Sequence, residues 1–232
     1  RPRAGSASAT SGRIVRRSPG AVTPPERTRV TGIVLAGGRS ARFGRDKLAE
    51  PLDGRTLLDR AVDTLATRCS EVLVVAAADG PAPAVNPTWR AALQVRVLRD
   101  PEPGGGPLVG LAVGLAAASA SLVLVIGGDM PSIVPGVLDL LMDEIEAGAV
   151  ASALEEGGRL RPLPCAIERE AGIAAIVRVR AAGRSSLQSI LQALDVNVVP
   201  ADTWRPIDPA GDSLLDVDRP GDLDRFSPRD EL

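Results

Sequence analysis

The chain predicts a doubly wound α/β fold built on a mostly parallel sheet, and three observations carry that expectation. Short continuous apolar runs recur at Val30–Leu35, Val72–Ala76, Val95–Leu98 and Leu122–Ile126, as parallel strands covered on both faces require. Between them lie stretches whose apolar residues recur at helical spacing. After Ala149 the rhythm changes to two extended runs separated by a few turn residues, so a late antiparallel excursion is expected.

Taken in order, residues 1–28 are rich in Arg, Ser, Pro, Gly and Ala with Glu26 as their one acid, and read as a disordered leader. They have no apolar core of the kind a secretory signal needs. Their composition superficially suits an organellar transit peptide; a bacterial tail or over-extended start without catalytic role is preferred. A single domain is expected over 29–232. Its first strand is Val30–Leu35. Leu57, Leu58, Ala61, Val62, Leu65 and Ala66 then mark a helix with Thr56 as its N-cap. Val72–Ala76 is the second strand, a Pro-rich loop follows, and Val95–Leu98 is the third. A small-residue helix from Pro107 to about Ala118 leads into the fourth strand, Leu122–Ile126. Val134, Val137, Leu138, Leu141 and Ile145 mark the next helix. Ala149–Ala153 and Leu160–Ile167, around Glu155-Glu156-Gly157-Gly158, suggest a hairpin. Helices near 168–179 and 185–194 and a strand at Val196–Val199 follow. Leu214–Val217 and a short helix after Pro220 close the chain.

The composition narrows the chemistry. With 44% hydrophobic and only 2% aromatic residues among 232, the core must be built from Leu, Val, Ile and Ala. A net charge of −2 gives no general pull toward nucleic acid or an anionic membrane, and no apolar run approaches a membrane span. Histidine is absent. Ser-His-Asp and Cys-His catalysis and His-ligated metal sites are thereby excluded. What is left is carboxylates, cations, hydroxyls and backbone, a set that suits phosphoryl or nucleotidyl transfer on magnesium. Cys69 and Cys165 stand in apolar contexts and read as buried thiols of a reducing, cytoplasmic compartment.

The most informative segment is Val30–Lys47, where the first strand turns abruptly into a loop carrying Gly37, Gly38 and Gly44 with Arg39, Arg42, Arg45 and Lys47. Such a loop packs poorly and binds polyphosphate well, because bare backbone comes close to the ligand beside fixed positive charge. It is not a Walker A loop, since Gly44 is followed by Arg45-Asp46-Lys47-Leu48 and the Lys-Ser/Thr pair is missing; nor do the glycines fit G-x-G-x-x-G. Three more segments fall where strand ends should lie. Ile126-Gly127-Gly128-Asp129-Met130-Pro131 offers a carboxylate at a strand tip. Asp100 precedes Gly104-Gly105-Gly106-Pro107-Leu108-Val109-Gly110. Leu215-Asp216-Val217-Asp218-Arg219-Pro220-Gly221-Asp222-Leu223 closes the fold.

The loop matches L-A-G-G-x-S-x-R-[MF]-G-x-D-K, the signature of nucleotidyltransferases that transfer a nucleoside monophosphate to a phosphorylated acceptor. Over residues 30–226 the chain resembles that superfamily, and within it the molybdenum cofactor guanylyltransferases. The resemblance implies a Rossmann-like nucleotidyltransferase sandwich and an activity: GMP passes from GTP to molybdopterin cofactor and pyrophosphate is released. It implies that Leu35, Ala36, Gly37 and Gly38 meet the nucleoside, that Arg42 and Lys47 meet the β- and γ-phosphates, and that Asp129 holds magnesium. Asp100 and Gly106 would contribute to the nucleotide site and Asp216 a second metal contact. Asp218 and Asp222 are expected as turn and N-cap residues. Arg161 and Arg184 are candidates for the acceptor's anionic group. The chain departs from the family in two places. Val75-Ala76-Ala77-Ala78 stands where an Asn often ends the second strand, with Asp79 the next polar residue. The closing segment carries Asp216, Arg219 and Gly221 where the family has Asn, Thr and Glu. Two rival readings follow: a sister enzyme using CTP or another phosphorylated acceptor, and a non-catalytic nucleotide-binding adaptor. A molybdoenzyme or chaperone is a possible protein partner.

Overall fold

The structure, a computed structural model, describes residues 29–37, 43, 46–84, 86, 89 and 93–226. Each apolar run forms a strand: β1 (Val30–Ala36), β4 (Glu71–Ala76), β5 (Gln94–Arg99) and β6 (Leu122–Gly127). Between β1 and β4 lie a two-residue hairpin, β2 (Pro51–Leu52) with β3 (Arg55–Thr56), and helix α1 (Leu57–Ala66). The hairpin turns on Asp53 and Gly54, both at positive φ (50° and 76°), the backbone that a two-residue Asp-Gly turn favours. Helix α1 is capped as its sequence requires: the Thr56 hydroxyl accepts from Asp59 N–H at 3.0 Å while Asp59 accepts from Thr56 N–H at 3.2 Å. Helices α2 (Pro107–Ala117) and α3 (Pro135–Glu146) flank β6 in the chain, and Pro opens both.

The late excursion is a hairpin of β7 (Ala151–Glu156) and β8 (Arg159–Glu168), turning on Gly157-Gly158. Both strands run further toward that turn than the apolar runs suggested, because Glu155–Leu160 and Glu156–Arg159 still pair across it. Helices α4 (Arg169–Ala181) and α5 (Leu187–Ala193), strand β9 (Val196–Val199) and a short helix α6 (Ala201–Trp204) follow. Leu214–Val217 is not a strand: a 3-10 turn at Asp212–Leu214 leads into extended chain, and a second such turn spans Pro220–Arg225.

One seven-stranded sheet results, in the order β5-β4-β1-β6-β8-β7-β9. The first four strands in that order are mutually parallel; β8 runs antiparallel to both β6 and β7, and β9 is parallel to β7. Side chains alternate across β1: Val34 faces α1, α3 and the fully buried Trp204, whereas Ile33 and Leu35 face α2, α4 and α5. Both faces are covered, which is why these strands read as uninterrupted apolar runs. No helix among the described residues is long and apolar enough to cross a membrane. The expected leader, Gly38, Arg42 and the other loop residues Arg39, Gly44 and Arg45 lie outside the described residues.

Candidate functional site

A cleft of about 370 Å³ opens at the carboxyl ends of β1, β4 and β6, where an open parallel sheet presents its ligands. Its floor is Leu35-Ala36-Gly37 from the end of β1. Lys47 and Asp129 stand at one side and Asp79, from the turn after β4, at the other. The three expected backbone residues therefore share one cavity with the expected cation and carboxylate.

Lys47 follows Asp46, whose carboxylate accepts from Leu48 N–H at 3.1 Å and caps a 3-10 turn over Lys47–Ala49. That cap, which sequence reasoning passed over, fixes the direction of the lysine. Its ammonium donates to Asp129 Oδ2 at 2.6 Å, to the Val217 carbonyl at 3.1 Å and to Asp218 Oδ1 at 3.4 Å. The side chain is only 14% exposed. Burial by itself would lower the ammonium's pKa. The charge and hydrogen bond of Asp129, and less strongly of Asp218, outweigh it and hold the group above the usual lysine value. Lys47 is thus a fixed cation at neutral pH.

Asp129 sits at the tip of β6 because the backbone there bends tightly. A Cβ on Gly127 would lie 2.5 Å from Asp129 Oδ1, so a side chain there would force the carboxylate away. Gly128 N–H donates to the Leu35 carbonyl at 3.0 Å and ties this tip to the end of β1. The closing segment is tied to the same point, with Val217 N–H on the Asp129 carbonyl at 2.9 Å. Val217 itself is buried with Phe43, Leu52 and Leu57 in a small separate core. This is how residues from three distant stretches come together.

That docking brings Asp216 and Asp218 to Asp129, and each offers a carboxylate oxygen within 4.8 Å of the others. Asp216 thus stands beside Asp129. Asp218 requires a correction: it lies in extended chain ahead of the Pro220–Arg225 turn, and it is a member of this cluster and a partner of Lys47. Asp222 is not the N-cap, which is Arg219; it is the third residue of that 3-10 turn, and its carboxylate reaches back to accept from Asp218 N–H at 3.0 Å and Arg219 N–H at 2.8 Å. Burial raises the Asp216 pKa first, and the neighbouring charges of Asp129 and Asp218 raise it further; Lys47 opposes them only weakly. Crowded carboxylates of this kind suit a hard divalent cation bound through oxygen.

The remaining candidates lie further out. Asp100 is buried, but its Oδ1 accepts from Glu102 N–H at 2.7 Å and it does not line the cleft. In this structure it shapes the glycine turn ahead of α2. Gly106 caps that helix at φ 76°. Arg184 borders a separate recess with Arg180, Glu102 and Gly105, while Arg161 lies on β8 and lines neither cavity. Cys69 and Cys165 are buried thiols, pushed by burial to about 12 and therefore unreactive at neutral pH.

Residues 32–200 match the family described as the MobA-like NTP transferase domain. A Chloroflexus aggregans protein named "Probable molybdenum cofactor guanylyltransferase" is 38% identical over 206 residues, which is 86% of this chain and 94% of that protein. A Haloferax mediterranei protein of the same name is 32% identical over 173 residues, 72% of this chain and 79% of that one. The solved structure of molybdopterin-guanine dinucleotide biosynthesis protein A from Archaeoglobus fulgidus covers 84% of this chain and 96% of its own, with a TM-score of 0.68 at 22% identity, a likeness of fold. With its glycine-rich loop, its Lys47–Asp129 pair and its matched length, the chain belongs to the MobA-like NTP transferase family.

Proposed function

We propose that the protein transfers GMP from GTP to molybdopterin cofactor and releases pyrophosphate. The observation that carries this reading is the fixed Lys47–Asp129 pair, which lines the cleft at the ends of β1 and β6 and is joined by the carboxylates of Asp216 and Asp218. The names of the two relatives supply the acceptor and the base.

The terminal phosphate of the acceptor attacks the α-phosphorus in line. A new P–O bond forms, the bond to the bridging β-oxygen breaks, and its electron pair leaves with pyrophosphate. The attacking oxygen is already ionised at neutral pH, so no general base is required, consistent with a chain that has no histidine. Lys47 keeps its proton beside Asp129 and presents positive charge where the leaving group gathers negative charge. The Leu35-Ala36-Gly37 backbone lines the same cleft, and the nucleoside would run along it. Asp129, with Asp216 and Asp218, would hold magnesium, which when bound neutralises triphosphate charge; the mutual crowding of these carboxylates fits such an ion.

The test is pyrophosphate release from each of the four NTPs, with magnesium and purified molybdopterin. GTP-specific release that requires the pterin supports the reading. Release with CTP instead moves the protein to the sister reaction. Nucleotide binding without release under any combination would favour the adaptor.

A further inference from the structure

The side of the cleft away from Lys47 carries a second built feature. The turn after β4 is closed by Gly80 N–H donating to the Ala77 carbonyl at 3.4 Å. Arg99 braces it from β5, donating Nη1 to the Ala77 carbonyl at 3.1 Å and to the Gly80 carbonyl at 3.0 Å. Between those two carbonyls stands Asp79, whose residue lines the cleft beside Pro81, Pro83 and Ala84. None of the hydrogen bonds or ion pairs among the described residues engages the Asp79 carboxylate, although the turn that presents it is fixed. Arg99 is spent on the backbone, so it orients the turn without neutralising the acid.

We infer that Asp79 selects the base, its carboxylate accepting together from the N1–H and the exocyclic amino group of guanine. This rests on the reading above, in which Lys47 and the magnesium that Asp129 would hold meet the phosphates; the nucleoside then runs across Leu35–Gly37 toward the β4 side. An ionised carboxylate can only accept. Guanine presents two adjacent donors on its Watson–Crick edge and satisfies both oxygens. Cytosine and adenine place a ring acceptor beside their single amino group, so a carboxylate would face a lone pair. Pro81, Pro83 and Ala84 offer an apolar flank to the ring. Paired, charge-assisted hydrogen bonds are the strong kind, and a site built for a donor discriminates sharply against an analogue lacking it. Asp79 thereby takes on base recognition in a chain whose second strand ends in alanines.

The decisive experiment is calorimetric titration of the full chain and of its Asp79→Ala and Asp79→Asn variants with GTP, ITP and CTP in magnesium. ITP lacks the exocyclic amino group and is the internal control. The wild type should bind GTP about 10- to 100-fold more tightly than ITP, the worth of one hydrogen bond to a charged group. Asp79→Ala should bring GTP close to ITP: ITP loses only its N1–H bond and weakens less than GTP, while CTP, which offers the carboxylate no paired donors, does not weaken. Asp79→Asn, which keeps one acceptor but gains a donor, should narrow the gap and improve CTP. The inference is overturned if the wild type does not separate GTP from ITP, if Asp79→Ala keeps the full separation, or if all three nucleotides weaken together. Base discrimination lost on substitution, with no pterin-dependent pyrophosphate release in the wild type, would uphold Asp79 and sink the transfer reaction.

Discussion

Two clusters of charged side chains occupy opposite ends of the same strands, and they are built on opposite principles. At the amino end of β4, Glu71 is 3% exposed, and every neighbour within reach answers it. Its Oε2 accepts from the Thr31 hydroxyl at 3.1 Å and from Ser119 N–H and hydroxyl at 3.1 and 2.8 Å, while Oε1 accepts from Arg96 at 3.0 Å. Thr31 Oγ1 in turn accepts from Ala120 N–H at 3.1 Å. At the carboxyl end, three carboxylates crowd one ammonium among the described residues. The first cluster is satisfied and pins β1, β4 and the approach to β6 together. The second keeps an excess of negative charge even with Lys47 paired to Asp129, an arrangement that suits an incoming cation. The comparison separates architecture from chemistry within a single sheet.

The largest effect should come from the carboxyl end. Asp129→Ala should lower the rate of pyrophosphate release by about 10²–10³-fold, the range found when a preorganised electrostatic group is removed. Its far-ultraviolet circular dichroism should stay that of the wild type. Lys47→Arg should also lower the rate in an otherwise intact chain, because a planar guanidinium cannot replace a compact ammonium among these carboxylates. Turnover unchanged in Asp129→Ala would dismiss the catalytic assignment. Next in size, Glu71→Ala should cost about 3 kcal/mol of unfolding free energy, since it leaves Thr31, Ser119 and Arg96 without their acceptor. Urea melts read this directly. Well below its midpoint, the same variant should keep the wild-type kcat/KM. A Glu71 variant that folded normally but lost turnover would break the division between the two ends.

How far these clusters were legible in the sequence differs, and the reason is physical. Lys47 and Asp129 stood out because glycines and charge at the end of an apolar run are poor packing material. The parallel strands were legible for the same reason in reverse: burial on both faces leaves Val, Ile and Leu unbroken. Glu71 was passed over because one acid ahead of a strand looks like a solvated terminus; only the fold delivers Ser119 and Arg96 to it. Asp218 looks like a turn residue because its neighbours Arg219-Pro220-Gly221 form a turn pattern. Its place beside Lys47 depends on Val217 docking among Phe43, Leu52 and Leu57, contacts of long sequence separation. Asp46 was hidden in the signature loop, where its capping role has no charge pattern to announce it.

The two ends should also answer pH in opposite senses. Burial pushes the Glu71 pKa up, but the hydrogen bonds from Ser119, Arg96 and Thr31 outweigh it and leave the group below its ordinary value. A carboxylate lowered on folding contributes stability that is present above the unfolded value, about 4.3, and is lost as pH falls through the folded one. Asp216 is raised, by burial and by Asp129 and Asp218. Its contribution is intact below the ordinary aspartate value, about 3.9, and is lost as pH rises through the raised value. Unfolding free energy measured from acid to neutral pH should therefore rise less steeply in Glu71→Gln than in the wild type. In Asp216→Asn it should rise more steeply.

The smallest expected effect is the most direct probe of the crowding. Without magnesium, Asp216→Asn should make the protein more stable at pH 7, because it removes one of three mutually repelling carboxylates. The gain should be about 0.5 kcal/mol or less, since Asp216, although its carboxylate is partly desolvated, stays open to water that screens the repulsion. Adding magnesium should reverse the order. A cation that binds only the folded state stabilises it by mass action, by about 1.4 kcal/mol at roughly ten times its dissociation constant. The wild type, with its full set of oxygens, should gain more than the variant. Urea-unfolding midpoints with and without magnesium measure both signs. If Asp216→Asn proves less stable than the wild type in metal-free buffer, the carboxylates are not in conflict and the cluster is as satisfied as the one around Glu71. If magnesium moves neither midpoint, these oxygens do not form a metal site in the unliganded protein.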